Sequence, residues 1–191
     1  MKKLEVESEQ QAASSVNSAK IASCGYSDKI ESSVNSAQIG SSGNSAQIAL
    51  SGKYAQIGSS GSYAQIASSG KYDKIASSGK YAQIGSSGNS AKIASSGYSA
   101  QIASSGNSAQ IASSGNSAKI YSTGKDAVIM CAGSETKAKA KIGSWITLAE
   151  WRYDGTKECY VPVCVKTEYV DGKKIKPDIL YQLIDGEFKE I

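Results

Sequence analysis

The stretch Ser104-Ser105-Gly106-Asn107-Ser108-Ala109-Gln110-Ile111-Ala112 is one copy of a nonapeptide that recurs from Ser14 to Met130. Isoleucine marks its period, returning at Ile21, Ile30, Ile39, Ile48, Ile57, Ile66, Ile75, Ile84, Ile93, Ile102, Ile111, Ile120 and Ile129. Let Gly be position three of the repeat, Ala position six and Ile position eight. Alternation along an extended chain then predicts a strand over positions five to nine, with Ala and Ile pointing inward. The preceding Ser-Ser-Gly-Asn predicts the turn, glycine supplying a positive φ that Asn also tolerates. A helix is excluded. Nine residues make about two and a half helical turns, so successive isoleucines would face opposite sides, and each Gly would cost ~1 kcal/mol.

One nonapeptide is too short to hold two strands and two turns, so two repeats per coil are the natural closure. The predicted fold class is all-β: a parallel β-solenoid, or β-roll, with two nine-residue repeats in each eighteen-residue coil. Its core is the ladder that includes Ile39, Ile48, Ile57, Ile66, Ile75, Ile84, Ile93 and Ile102. A three-sided coil built from three repeats is the alternative that the substitution pattern leaves open.

Three segments follow from where the period holds. Residues 1–13 break it with dense charge and read as an N-terminal cap, residues 14–130 are the solenoid, and residues 131–191 form a C-terminal module. In the last, Cys131 to Ile142 reads as a connector. Beyond it, Asp154-Gly155, Asp171-Gly172 and Asp185-Gly186 are hairpin signals between short apolar runs, predicting a small antiparallel β-meander that buries an aromatic side containing Trp145 and Trp151 against the last coil.

The repeat resembles two families. Repeats-in-toxin calcium β-rolls share its period and its apolar eighth position, but position six is Ala in eleven of thirteen repeats, Asp28 and Asp73 being the exceptions, so regular calcium loading is not expected. Asn35-Ser36-Ala37-Gln38-Ile39-Gly40 looks like the core of trimeric autotransporter adhesin heads. The chain as a whole, ending in Trp145-Ile146-Thr147-Leu148-Ala149-Glu150, resembles uncharacterised Ser/Gly/Ile nonapeptide-repeat proteins of gut bacteria and of their phages and mobile elements. That resemblance implies no activity.

Composition argues against most enzyme chemistry. The chain has no histidine, which removes the usual general base, the Ser-His and Cys-His nucleophile systems and the commonest metal ligand. Cys159 and Cys164 lack a second pair for zinc and read as buried strand residues. Asp28 and Asp73, each followed by Lys, read as local ion pairs in a distorted coil. Neither a cofactor nor a metal is expected. The net charge of +4 is a mild bias, short of the dense basic stripe of a dedicated nucleic-acid binder.

The candidate binding residues are Lys53, Tyr54, Tyr63, Lys71, Tyr72, Lys80 and Tyr81, from four consecutive repeats in which position five changes from Ser to Tyr. Stacked coils should set Tyr54 beside Tyr72 and Tyr63 beside Tyr81, and aromatics interleaved with basic residues suit a protein hot spot or stacked bases. The expectation is a non-enzymatic, cytoplasmic interaction protein of phage or mobile-element type that inhibits or sequesters a protein partner. Self-association, with a dimer favoured, is expected, and contact with a membrane is not. A trimeric adhesin or tail-fibre shaft is the alternative, and nucleic-acid binding the third reading.

Overall fold

The computed structural model describes residues 3–6, 11–14 and 17–191, and every regular element among them is a strand. The first strands are β1 (Lys3–Val6) and β2 (Gln11–Ser14). The repeat supplies β3 (Lys20–Ser23), β4 (Lys29–Ser32), β5 (Gln38–Ser41), β6 (Gln47–Leu50), β7 (Gln56–Ser59), β8 (Gln65–Ser68) and β9 (Lys74–Ser77). It continues through β10 (Gln83–Ser86), β11 (Lys92–Ser95), β12 (Gln101–Ser104), β13 (Gln110–Ser113), β14 (Lys119–Ser122) and β15 (Val128–Cys131). The last are β16 (Lys137–Lys139), β17 (Trp145–Asp154), β18 (Cys159–Tyr169), β19 (Tyr181–Ile184) and β20 (Glu187–Glu190).

Odd-numbered strands up to β17, with β18, form one ten-stranded sheet, here the front sheet; even-numbered strands up to β16, with β19 and β20, form the back sheet. Parallel pairing sets Ile21 against Ile39 and Ile39 against Ile57, a register of eighteen residues. The coil is therefore two-sided, which removes the three-sided alternative. Ile39, Ile48, Ile57, Ile66, Ile75, Ile84, Ile93 and Ile102 are all buried between the sheets, with the position-six alanines beside them. The predicted fold class is the observed one.

The strand is displaced from its predicted span. It covers positions seven, eight, nine and one of the next repeat, because the first serine keeps the alternation going and turns inward too. Those serine hydroxyls, at Ser41, Ser59, Ser77 and Ser95 for example, are buried with no hydrogen-bond partner. The corner is accordingly positions two to six, and its left-handed residue is position five, not the glycine: φ is +59° at Ser36 and +64° at Tyr72. Glycine at position three has a different cause. A Cβ on Gly79 would lie 1.9 Å from the carbonyl oxygen of Gly61 one coil earlier, and the same holds down the file at Gly61 and Gly97. At these glycines the coils approach too closely for a Cβ, while Val34 holds position three in a coil where Ser18 N still donates to Asn35 O at 3.0 Å.

Both ends depart from the expected segmentation. β1 and β2 pair parallel with β3 and β4, so the N-terminal segment continues both sheets, while residues 1–2 and 7–10 of that segment lie outside the described residues. Cys131 to Ile142 is no connector: β16 lies parallel to β14 with Ala138 in the isoleucine row, and β17 lies parallel to β15 with Ile146 in it. The solenoid therefore runs on to Leu148. Small Ala138 and the loss of the Ser-Ser-Gly punctuation hide this coil in the sequence.

The C-terminal module is two hairpins, not one meander. β17 and β18 pair antiparallel on the front sheet, β19 and β20 on the back sheet, and β18 and β19 are not neighbours. Asp171 makes the crossing between them, its Oδ1 accepting from Lys173 N, Lys174 N and Ile175 N at 2.8–3.2 Å. These main-chain donors, Lys173 N first, hold its carboxyl below the usual carboxylate range. Ile146, Leu148, Val170, Ile175, Tyr181 and Leu183 close the core at this end. The tryptophans do not: Trp145 is half exposed, and Trp151 donates its indole N–H to the Ala132 carbonyl at 2.8 Å. Alternation turns Trp145 outward because the next residue, Ile146, takes the inward slot.

Candidate functional site

The candidate tyrosines occupy the corners of the coil, and the corners alternate between two edges of the slab. Turn hydrogen bonds trace each edge: Tyr54 N donates to Lys71 O and Tyr72 N to Asn89 O on one, Tyr63 N to Lys80 O and Tyr81 N to Tyr98 O on the other. Lys53, Tyr54, Lys71 and Tyr72 are thus brought together, and so are Tyr63, Lys80 and Tyr81. The two groups sit on opposite edges and form two sites, not one patch.

Within each site the rings stack as the repeat predicts. Tyr54 and Tyr72 lie 5.3 Å apart between centroids with planes 10° apart, and Tyr63 and Tyr81 lie 5.1 Å apart at 14°. Tyr98, at position four, adds an edge-on contact to Tyr81 at 5.8 Å. The sequence pattern concealed Tyr98, because it is one residue out of phase with the others. Tyr54 and Tyr63 remain 56% and 58% exposed, so stacking leaves both residues open to solvent. All four position-five tyrosines take φ between +57° and +64°, a region that disfavours bulky side chains.

Lysine and asparagine compete for position four. Where Asn stands there, its Oδ1 accepts from the main-chain N–H of the same position one coil on, as Asn35 does from Lys53 at 2.9 Å and Asn107 from Lys125 at 2.9 Å. Lysine has no acceptor to offer. At Lys53, Lys71 and Lys80 this capping ladder is given up, and the tyrosine stacks stand in its place. Among the described residues no ion pair engages these three lysines.

The outer face of the front sheet is a second candidate surface. Gly40, Gly58, Ala76, Ala94 and Ala112 floor a shallow trough beside a ridge of Gln and Lys side chains. At its C-terminal end the trough turns apolar, with Val128, Met130, Trp145, Tyr169 and Val165 all exposed. Trp145 and Tyr169 touch, their centroids 5.0 Å apart. Only the pairing of β17 with β15 and β18 brings these residues together, so the period could not reveal them.

The acidic exceptions are buried, not paired with the lysines that follow them. Asp28 and Asp73 are both 0% exposed and take inward slots normally held by Ala. Ser23 Oγ donates to Asp28, and Ser68 Oγ donates to Asp73. Asp73 also accepts from Ala55 N at 2.8 Å. Burial pushes the Asp73 carboxyl above its ordinary value against the opposing pull of these hydrogen bonds. The lysines project outward because position seven alternates with position six.

Cys131 is buried and its thiol is pushed up to about 12 by desolvation, which leaves no thiolate at neutral pH. Cys159 and Cys164, expected inside, lie on β18 exposed and half-buried. No set of three or more His, Cys, Asp or Glu side chains among the described residues could hold a metal ion. No helix among them is long and apolar enough to cross a membrane.

The fold and these surfaces define the chain as a two-sided parallel β-solenoid closed at one end by paired hairpins. No protein-family model, no curated protein and no solved structure matches it.

Proposed function

We propose that the protein is a non-enzymatic binding scaffold that engages a protein partner through its two stacked-tyrosine edges. The observation that carries this reading is the placing of four half-exposed tyrosines at left-handed corner positions, where eight of the other repeats have serine. Stacking alone does not account for that choice, because the Asn-Ser corners elsewhere make their own hydrogen bonds without strain from a ring. Exposed, pre-stacked rings flanked by unpaired lysines offer rigid aromatic area and charge at little ordering cost. Sites on opposite edges suit a partner that straddles the slab or one partner on each edge. Inhibition or sequestration of that partner within the cell is the corresponding biological role.

Serine at the four positions provides the test, because serine already occupies the same corner in neighbouring coils. Tyr54→Ser with Tyr72→Ser, and Tyr63→Ser with Tyr81→Ser, should each leave the melting curve within about 1 kcal/mol of wild type, since exposed substitutions of this kind cost little. Each pair should remove the partners that wild type retains from a host lysate. Identical retained sets for wild type and the fourfold variant would refute the role of the tyrosines.

A further inference from the structure

The two sheets end differently beyond the hairpins. The back sheet stops at β20, four residues whose Glu187 and Lys189 pair with each other at 2.8 Å, a short charged edge of the kind that discourages another chain. The front sheet stops at β18, eleven residues long and paired only with β17. Half of that edge is blunted. The ladder slips between Glu150 and Trp151, so Val163 has no residue opposite it, and the adjacent Pro162 has no N–H to offer. The half from Cys164 onward is regular and open.

Its hydrogen-bonding direction is set just past the strand, where Val170 N donates to Ser144 O at 2.9 Å and Val170 O accepts from Gly143 N at 3.0 Å. In an antiparallel ladder both main-chain groups of a residue point to the same side, and successive residues alternate. Cys164, Lys166 and Glu168 therefore address β17, while Val165, Thr167 and Tyr169 present N–H and C=O to the open side.

We propose that this open edge pairs with the same edge of a second copy of the chain, antiparallel about a two-fold axis at Thr167. The choice of axis follows from charge. Centred on Lys166, the pairing would place two lysines opposite each other. Centred on Val165, it would set Glu168 against Pro162, at the slipped part of the edge. Centred on Thr167, it sets Lys166 of each copy against Glu168 of the other, twice, at the non-hydrogen-bonded positions where side chains approach most closely. Glu168 already meets Lys174 of its own chain, so Lys166 extends a line of charges that alternate in sign. On the outer face the same register lays Val165 beside Tyr169 and joins the two apolar ends of the front trough. Two ten-stranded sheets become one.

Mass in solution reads this directly. Wild type should run at twice the 19.8 kDa of one chain in sedimentation or light scattering. Thr167→Pro removes an edge-facing N–H and none that addresses β17, so it should weaken the dimer at least roughly tenfold while circular dichroism stays unchanged. Lys166→Glu, an exposed change, should weaken it to a similar degree, and adding Glu168→Lys should recover most of the loss. A monomer at concentrations on the order of 100 μM, a trimer, or a dimer indifferent to both Thr167→Pro and Lys166→Glu would overturn the proposal. The tyrosine edges take no part in this contact, so the two readings fail separately.

Discussion

Gly79→Ala should destabilise the solenoid by on the order of 3 kcal/mol, the upper range for overpacking a rigid interior. The added methyl would lie 1.9 Å from the Gly61 carbonyl oxygen and 2.6 Å from its carbon, and both atoms belong to a stacked main chain with no rotamer to change. Relief requires the coils to move apart, which would lengthen the hydrogen bonds on either side, such as Tyr63 N to Lys80 O and Ser78 N to Ser59 O. Gly58→Ala is the matched control. Its Cβ would meet nothing nearer than the Ile39 carbonyl at 4.0 Å, and most repeats already carry Ala there. It should be neutral or stabilise by up to about 1 kcal/mol through the unfolded chain. Urea midpoints of the two variants check the contrast. Equal effects would mean that close approach of the coils is not what demands glycine at position three.

Asp73→Ala should act in the opposite direction, raising stability at pH 7 by about 1–3 kcal/mol, the range for a buried polar group held at a loss. Alanine fits the slot in the neighbouring coils; the change frees the Ala55 N–H and the Ser68 hydroxyl from Asp73, and the hydroxyl would join a row of serines that already lack partners. The sign of the pH dependence follows from the raised carboxyl. Between the ordinary value near 3.8 and the higher folded value, the folded chain binds the proton and the unfolded chain does not. Stability therefore falls as pH rises through that window and stays low above it. Asp154, Asp171, Glu187 and Glu190 have depressed values and contribute the reverse, so wild type alone would blur the two effects. The difference between wild type and Asp73→Ala isolates the one group. That gap should be widest at neutral pH and close on acidification. A gap that is constant with pH would show that the carboxyl does not titrate differently in the folded chain.

What the sequence disclosed and what it hid divide along a physical line. Isoleucine every nine residues specifies inward strands, and with two repeats per coil stacking in register then sets Tyr54 on Tyr72 and Tyr63 on Tyr81. The number of sides was not legible, because a nine-residue period is the same whether two or three repeats close the coil. The eighteen-residue register decides it, with a corner in which position five bends left-handed. The same corner explains the displaced strand: a buried serine with no partner looks polar in sequence, so Ser41 or Ser59 reads as turn and not as core. Asp28 and Asp73 misled for a related reason, since a following Lys suggests a pair that alternation forbids. In the C-terminal module the turns were legible from Asp-Gly, but which sheet each hairpin joins depends on Ala138 and Ile146 keeping the isoleucine row after the consensus has lapsed.

The alternation of corners between two edges gives the gene a parity. Loss or gain of one nonapeptide carries everything downstream half a revolution round the axis: after such a change upstream of Lys53 both tyrosine pairs would trade edges, and β17 with β18 would be transplanted to the opposite sheet. Only changes of two repeats leave the surfaces where they were. Length can therefore drift in this protein by whole coils at small cost, while a single-repeat slip rewires which ladder faces which neighbour.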